Sequence, residues 1–514
     1  VRAATADRLF ALFFVATAGL RLTLAATTQA PLHGDEATVG IMALRLLERG
    51  EWPLTALNAP YNGGAALLAW LGAAVLGVTG PSEAALTTVG AVVSLVSLLV
   101  VHRLVRTACG APAALCAAVV YGTTASLLRW SFDVRGGYLE GQLVAALVFL
   151  ALPGVRRRPR WPAELGVAAL CGFGYYLLPA FAAVAVVALA FLARRHGARA
   201  ALRAPAWVAA FALGALPAWF AQAPAPPSGL RPLSGVPRAF WATLTRWLPS
   251  AQAPDNLYGN PAIAVAPNLL ETAFFALALG ALAVWGRRPR GPGEGAPPLT
   301  ALLGAHVGVF LVLFALHPDA GSSARYLLFL EPSLSILAGL GVHAALRRGG
   351  AASTAAAALL AVTLADRARE AARVARDETI HGISGRGAPG TAPAVLAALE
   401  GAGIRHAMIE DWDVRWRVAF LSGDRAQTHH FSRRWFREPP EPVRAQPRFG
   451  IVVAAEGGTE DWLRPELEAR GVARVRAGEM ALYVCEAAAR CGEPPALTAA
   501  SASAEREGRR PSPR

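Results

Sequence analysis

LTTVGAVVSLVSLLVVHRLVR, residues 86–106, carries no charged side chain until Arg103 and Arg106 close it. About 20 apolar residues in a helix span the hydrocarbon core of a bilayer, and arginines at one end mark the side that stays in the cytoplasm. Similar runs recur near 9–28, 63–79, 111–128, 139–153, 162–177, 179–193, 205–221, 267–286, 299–316, 326–344 and 351–365. The 514 residues are 54% hydrophobic and 16% charged, with a mean hydropathy of +0.39. A bilayer, and not water, is therefore the expected solvent for most of the chain. A formal net charge of +14 could suit nucleic acid. The basic residues, all Arg, instead lie in short clusters between the apolar runs and form no binding face, so nucleic acid is not an expected partner.

If every run crossed, the Arg clusters would alternate between the two sides of the membrane. Laying 63–79 along the outer interface as a juxtamembrane segment brings five clusters to the cytoplasmic side: Arg103/Arg106, Arg156/Arg157/Arg158/Arg160, Arg194/Arg195/Arg199, Arg287/Arg288/Arg290 and Arg347/Arg348. The expectation is an α-helical polytopic inner-membrane protein with about 11 transmembrane helices and its N-terminus inside. Residues 1–365 form the membrane domain, with outer loops at 29–85, 129–138, 222–266 and 317–325. The opening run, 9–28, lacks a clear cleavage site and reads as an uncleaved first helix.

From Asp366 the composition becomes that of a soluble domain, and topology puts 366–490 outside the cytoplasm. A helical stretch at Ala392–Glu400 precedes strand-like runs at His406–Glu410, Arg417–Leu421, Phe449–Ala454 and Met480–Cys485, which predicts a small α/β domain. Residues 491–514 read as a disordered tail. Five cysteines are too few and too scattered for a disulfide framework or a zinc site. Cys109, Cys116 and Cys171 fall in or beside apolar spans, whereas Cys485 and Cys491 are close enough in sequence to pair if their domain is extracytoplasmic. The sequence has no Gly-rich phosphate loop, no HExxH and no internal repeat.

Chemistry concentrates in three outer segments. His33-Gly34-Asp35-Glu36 sets two adjacent carboxylates just after the first span, ahead of a helical stretch bearing Val39, Ile41, Met42, Leu44 and Leu47. Acidic residues in a first turn also complement a helix dipole, so a purely structural role stands beside a catalytic one. The second loop carries Arg129, Asp133, Arg135, Gly136, Gly137, Tyr138 and Glu140. Arg325-Tyr326 opens a late span after His317-Pro318-Asp319. An arginine at that depth can anchor a helix, or can grip a phosphate through its bidentate fork. Carboxylates and guanidiniums gathered at one face of a membrane can take a proton from a nucleophile and stabilise a departing phosphate.

Several motifs make the chain similar to the C-type (GT-C) glycosyltransferases, in particular the protein O-mannosyltransferase and aminoarabinose lipid A transferase group. They are Asp35-Glu36, Asn58-Ala59-Pro60-Tyr61-Asn62-Gly63-Gly64, Arg135-Gly136-Gly137-Tyr138-Leu139-Glu140, Gly174-Tyr175-Tyr176 and Arg325-Tyr326-Leu327-Leu328, with Glu410-Asp411-Trp412 and Phe420-Leu421-Ser422-Gly423 further on. The resemblance runs from residue 9 to about 485 and rests on no single strict motif. It implies transfer of a sugar from a polyprenyl-phosphate donor to a cell-envelope acceptor on the outer face. It maps Asp35 to the catalytic acidic position, with Glu36 beside it. Arg325, Arg135 and Tyr326 are then the candidates for the donor phosphate. Asp133 or Glu140 is the second-loop acid, and Tyr138 and His33 are further acceptor or metal candidates. Members differ in using a divalent metal; Asp35, Glu36 and Glu140 would be its ligands here. Glu331-Pro332 departs from the family pattern by putting a carboxylate in a late helix. A transporter or flippase is the competing class, supported by Arg21, His306 and Glu331 within spans. A non-catalytic scaffold has only the soluble end in its favour.

Overall fold

The computed structural model describes residues 2–27, 32–57, 63–157, 161–220, 231–251, 269–285, 299–317, 324–375, 390–431, 440–486 and 491. Asn58–Asn62, Arg158, Arg160, most of the 222–266 loop, Arg287, Arg288, Arg290, Pro318, Asp319 and the tail from 492 lie outside the described residues. The chain divides into two compact units, Val1–Gly385 and Arg386–Arg514.

The first unit is helical. Its elements are α1 (Ala3–Thr27), α2 (Gly34–Arg49), α3 (Gly63–Thr79), α4 (Glu83–Cys109), α5 (Ala111–Thr123), α6 (Ala125–Trp130), α7 (Tyr138–Arg157), α8 (Trp161–Leu177), α9 (Ala182–His196) and α10 (Ala200–Gly214). The short helices α11 (Leu216–Phe220), α12 (Val236–Ala242) and α13 (Leu248–Ala251) lead to α14 (Leu269–Trp285), α15 (Leu299–Leu316), α16 (Glu331–Arg348) and α17 (Gly350–Ala375). Among the described residues, six helical stretches are long and apolar enough to cross a membrane, and four shorter apolar helices accompany them. Large apolar side chains such as Leu12 (68% exposed) and Leu202 (83%) point outward, as lipid-facing residues do in a multi-pass membrane protein.

Between the helices small residues allow close approach, which supplies the packing that the hydrophobic effect cannot supply within lipid. A Cβ added at Gly172 of α8 would stand 1.9 Å from the Phe211 carbonyl oxygen of α10, and one at Gly214 1.9 Å from that of Ala169. Gly341 of α16 meets Ala278 of α14 in the same way, at 1.8 Å.

Two contacts define the ends of the bundle. Arg106, near the end of α4, donates two hydrogen bonds to Asp7 at the start of α1, at 2.8 and 2.9 Å. At the other end Leu24 and Ala25 of α1 pack with Ala91 of α4 and with Leu128 and Phe132. The helices α1 and α4 therefore run antiparallel, and α2 and α3 are inserted where α1 ends and α4 begins. Both ends of α3 lie at that same end, since its first residues touch Gly136 and Gly137 and its last precede α4 by a few residues. The helices α4, α9 and α16 finish at the opposite end, with Arg106, Arg194/Arg195 and Arg347/Arg348 in their last turns.

Several buried polar groups in the helices have structural partners. Arg21 donates to Ser94 Oγ (2.6 Å) and to the Gly122 carbonyl (3.0 Å), tying α1 to α4 and α5. His306 Nδ1 lies 2.9 Å from Ser333 Oγ, and Glu331 accepts from Ser335 Oγ at 3.1 Å. These contacts account for the three polar residues that favoured a transporter. Glu331 lies in a late helix as expected, as the first residue of α16 directly after a 3-10 turn, Ala324–Leu330, and Pro332 stands in the first turn, where a missing N–H costs nothing. The helix α17 continues past Asp366 to Ala375; Arg367 within it pairs with Glu271 and donates to the Val120 carbonyl (2.7 Å) and Thr123 Oγ1 (2.8 Å).

The second unit contains a five-stranded sheet of order β2-β1-β3-β5-β4. After α18 (Thr391–Gly401) come β1 (His406–Ile409), α19 (Trp412–Leu421), β2 (Gln427–His430), α20 (Glu441–Arg444), β3 (Phe449–Ala454), α21 (Gly458–Ala469), β4 (Ala473–Ala477) and β5 (Met480–Cys485). The β1–β2 and β1–β3 pairs are parallel; β3–β5 and β4–β5 are antiparallel. Arg417–Leu421, expected as a strand, is the second half of α19. Asp411 caps that helix by accepting the Val414 amide at 2.8 Å, and Val414 and Val418 bury one face at the four-residue spacing of a helix. The Cys485 and Cys491 thiols are joined in a disulfide.

Candidate active site

The first outer segment is ordered by its own cap. His33 is the N-cap of α2: its Nδ1 accepts the Asp35 amide at 3.1 Å, while its own amide donates to Glu36 Oε2 at 2.6 Å, a reciprocal capping box. The second Glu36 oxygen accepts the Val134 amide at 3.2 Å, so this buried side chain fastens the first loop to the second. Asp35, one position earlier on the helix, points elsewhere: its side chain is 49% exposed, with Oδ2 3.4 Å from His33 Nδ1.

The second loop is pressed against α3 by glycines. A Cβ on Gly64 would fall 2.0 Å from the Gly137 nitrogen, and one on Gly136 would fall 2.2 Å from the Ala65 nitrogen. Gly136 and Gly137 also take left-handed φ values of +79° and +92°, which side-chain-bearing residues rarely adopt. Arg135 precedes the turn, and Tyr138 and Glu140 follow it in the first turn of α7. Tyr138 packs edge-on against Trp130 at 5.0 Å.

The third segment is the turn Ala324–Leu330. Gln142 Nε2 of α7 donates to the Leu328 carbonyl at 2.6 Å and docks the turn onto the second loop's helix. The Arg325 guanidinium lies over the Tyr326 ring, 5.4 Å from its centre.

These three pieces converge electrostatically. Burial by itself would raise the Asp35 carboxyl, but the His33 ring and then the Arg135 and Arg325 guanidiniums outweigh it and hold the pKa at about 2. Asp35 is thus ionised throughout the neutral range, and the charges of Arg135 and Arg325, from two other segments, contribute to that. Asp133 is engaged by Arg129 Nη1 at 3.2 Å, both side chains being buried. Glu140 is 2% exposed, and its Oε1 has no hydrogen-bond partner among the described residues. Among the described residues no three His, Cys, Asp or Glu side chains gather closely enough to hold a metal ion. Gln142 and Trp130 went unnoticed in the sequence; a polar residue four positions after Tyr138 on an otherwise apolar helix was the available signal for Gln142.

An α-helical membrane body with two helices inserted between its first two long spans, followed by a small sheet unit, is similar to the GT-C type of membrane fold. Two crystal structures of ArnT from Cupriavidus metallidurans share it. The apo form superposes with a TM-score of 0.57 at 12% identity, over 95% of this chain and all (100%) of that one. The form bound to undecaprenyl phosphate gives 0.56 at 14% identity, over 94% and 99%. At such identities the likeness is one of fold. No family model matches the sequence, and no curated protein matches it.

Proposed function

We propose that this protein is a glycosyltransferase that moves a sugar from a polyprenyl-phosphate donor to a cell-envelope acceptor at the outer face of the inner membrane, with its C-terminal unit extracytoplasmic. The observation that carries the reading is the half-exposed, ionised Asp35 carboxylate beside His33 at the start of α2, within the electrostatic influence of Arg135 and Arg325. The ArnT structure with undecaprenyl phosphate bound supports a lipid phosphate as the ligand of this fold.

In this mechanism the acceptor hydroxyl gives its proton to Asp35 as its oxygen attacks the anomeric carbon. The bond from that carbon to the phosphate oxygen breaks, and the electron pair leaves on the polyprenyl phosphate. Arg325 and Arg135 take up the developing charge through their forks, and Tyr326 backs the Arg325 fork. The phosphate is a weakly basic leaving group and needs no strong general acid. The arginines that hold Asp35 low in the free site are neutralised in part when a phosphate enters between them, so donor binding raises the basicity of Asp35 before the proton moves. Glu36 keeps the two loops in register and makes no contact with substrate.

The test is an in vitro assay of purified protein with a panel of polyprenyl-phosphate sugars. Transfer from at least one of them, lost in Arg325→Lys, supports the reading. Failure to turn over or bind any of them contradicts it.

A further inference from the structure

Glu410-Asp411-Trp412 has no part in the chemistry above, yet it begins the most distinctive surface of the second unit. On α19 the Arg415 guanidinium stands over two indoles, 5.1 Å from the Trp412 ring centre and 4.2 Å from that of Trp416. The indoles meet edge-on at 5.7 Å. Beside them the neighbouring strands β1 and β2 place His406 and His429 with stacked rings at 6.3 Å. Thr428 of β2 donates to the Arg415 carbonyl, joining strand and helix at 3.3 Å.

Packing alone does not explain this cluster. Four of its nitrogens have no hydrogen-bond partner among the described residues: Arg415 Nε, Trp416 Nε1, His406 Nδ1 and His429 Nε2. Leaving such a group unsatisfied costs free energy, and native structures hold few of them. Trp412 is 38% exposed, so part of its indole is open to a ligand.

We propose that Trp412, Arg415, Trp416, His406 and His429 form a glycan-binding subsite that takes a neutral pyranose ring of the acceptor. The proposal rests on the glycosyltransferase reading. A pyranose offers an apolar C–H face to stack on an indole and hydroxyls at its rim, which can engage indole, guanidinium and imidazole nitrogens after small side-chain shifts. An anionic lipid surface fits less well. Asp411 and Asp413 flank the cation, and the apolar positions Val414, Val418 and Phe420 of α19 are buried inward, which leaves no continuous apolar face to enter a membrane.

Saturation-transfer NMR on the full-length protein in nanodiscs tests it, with soluble tetrasaccharides of glucose, mannose and N-acetylglucosamine as probes. At least one should show ring-proton saturation, weakened about tenfold or more in Trp412→Ala and in Arg415→Gln. Asp35→Asn should bind the same probe as wild type does. That result keeps failure of the subsite separate from failure of the transferase reading, which turnover alone decides. Circular dichroism of each variant guards against unfolding, and Trp412→Phe, which keeps a stacking ring, should restore most of the signal. Absence of saturation from all three probes overturns the subsite. So does binding that survives both Trp412→Ala and Arg415→Gln, which would leave the stack as surface packing only.

Discussion

The Glu36 carboxylate accepts the Val134 amide at 3.2 Å, joining two loops that lie 98 positions apart in the chain. Its other oxygen accepts the His33 amide, so both oxygens hold backbone. Asp35 is then left as the half-exposed acidic side chain of this segment.

Glu36→Gln should therefore act through the fold. A glutamine has one acceptor oxygen where the site uses two, so either the cap or the bridge to Val134 weakens, at a cost of about 0.5–2 kcal/mol. The expected result is a lower melting temperature together with a partial loss of turnover. An unchanged melting temperature with turnover as low as that of Asp35→Asn would mean that the two acids have been exchanged.

Gly64→Ala should be more damaging than an alanine in an apolar helix ordinarily is. Its Cβ would enter the Gly137 backbone at 2.0 Å, and backbone cannot swing aside as a side chain can. Separating α3 from the second loop displaces Arg135, so donor KM should rise along with any fall in stability. Wild-type donor KM in a folded variant would contradict this.

Much of this was legible in the sequence, for physical reasons. Apolar runs and Arg clusters are local signals, and the odd position of 63–79 followed from charge counting alone. The two glycine motifs were visible as motifs, but that they press on each other was not, because nothing local records a contact between Gly64 and Gly137. The Arg367–Glu271 pair was hidden for the same reason, its members standing 96 positions apart. Arg129 and Asp133, at helical i,i+4 spacing, could have been paired from sequence. Arg417–Leu421 misled because a buried helix segment and a strand are alike in so short an apolar run, and the Asp411 cap was the signal that separated them.

Arg325→Lys should abolish most activity while leaving the fold intact. An ammonium keeps the charge but not the planar fork, nor the stacking of the guanidinium on Tyr326. Donor KM and turnover together report the loss. Wild-type values for both would make Arg325 a helix anchor.

The sidedness of the second unit is open to a direct measurement. A dual reporter fused after residue 380 should be active only on the periplasmic side, if the Arg-bearing ends of α4, α9 and α16 are cytoplasmic as positive-inside counting expects. A cytoplasmic signal would invert the whole assignment.

A carboxyl held at about 2 stays charged wherever the protein is ordinarily assayed. A lowered value favours the ionised form, so its contribution is complete at neutral pH and is lost only on acidification toward that value. The free-enzyme profile, kcat/KM against pH, should show no acid limb from Asp35 between pH 5 and 8. An acid limb in that range that disappears in Asp35→Asn would contradict the lowering by His33, Arg135 and Arg325.

The central claim is that Asp35 is the base, and turnover of purified Asp35→Asn protein tests it most directly. Asparagine keeps the size and much of the hydrogen bonding at the start of α2 while removing the negative charge. General-base assistance contributes about 10²–10⁴-fold in rate, so turnover of lipid-linked sugar should fall by that range with protein level and melting temperature little changed. A residue that only complements the helix dipole would cost about 0.3–1 kcal/mol of stability and leave turnover near normal. Folded Asp35→Asn protein working at the wild-type rate would contradict the account.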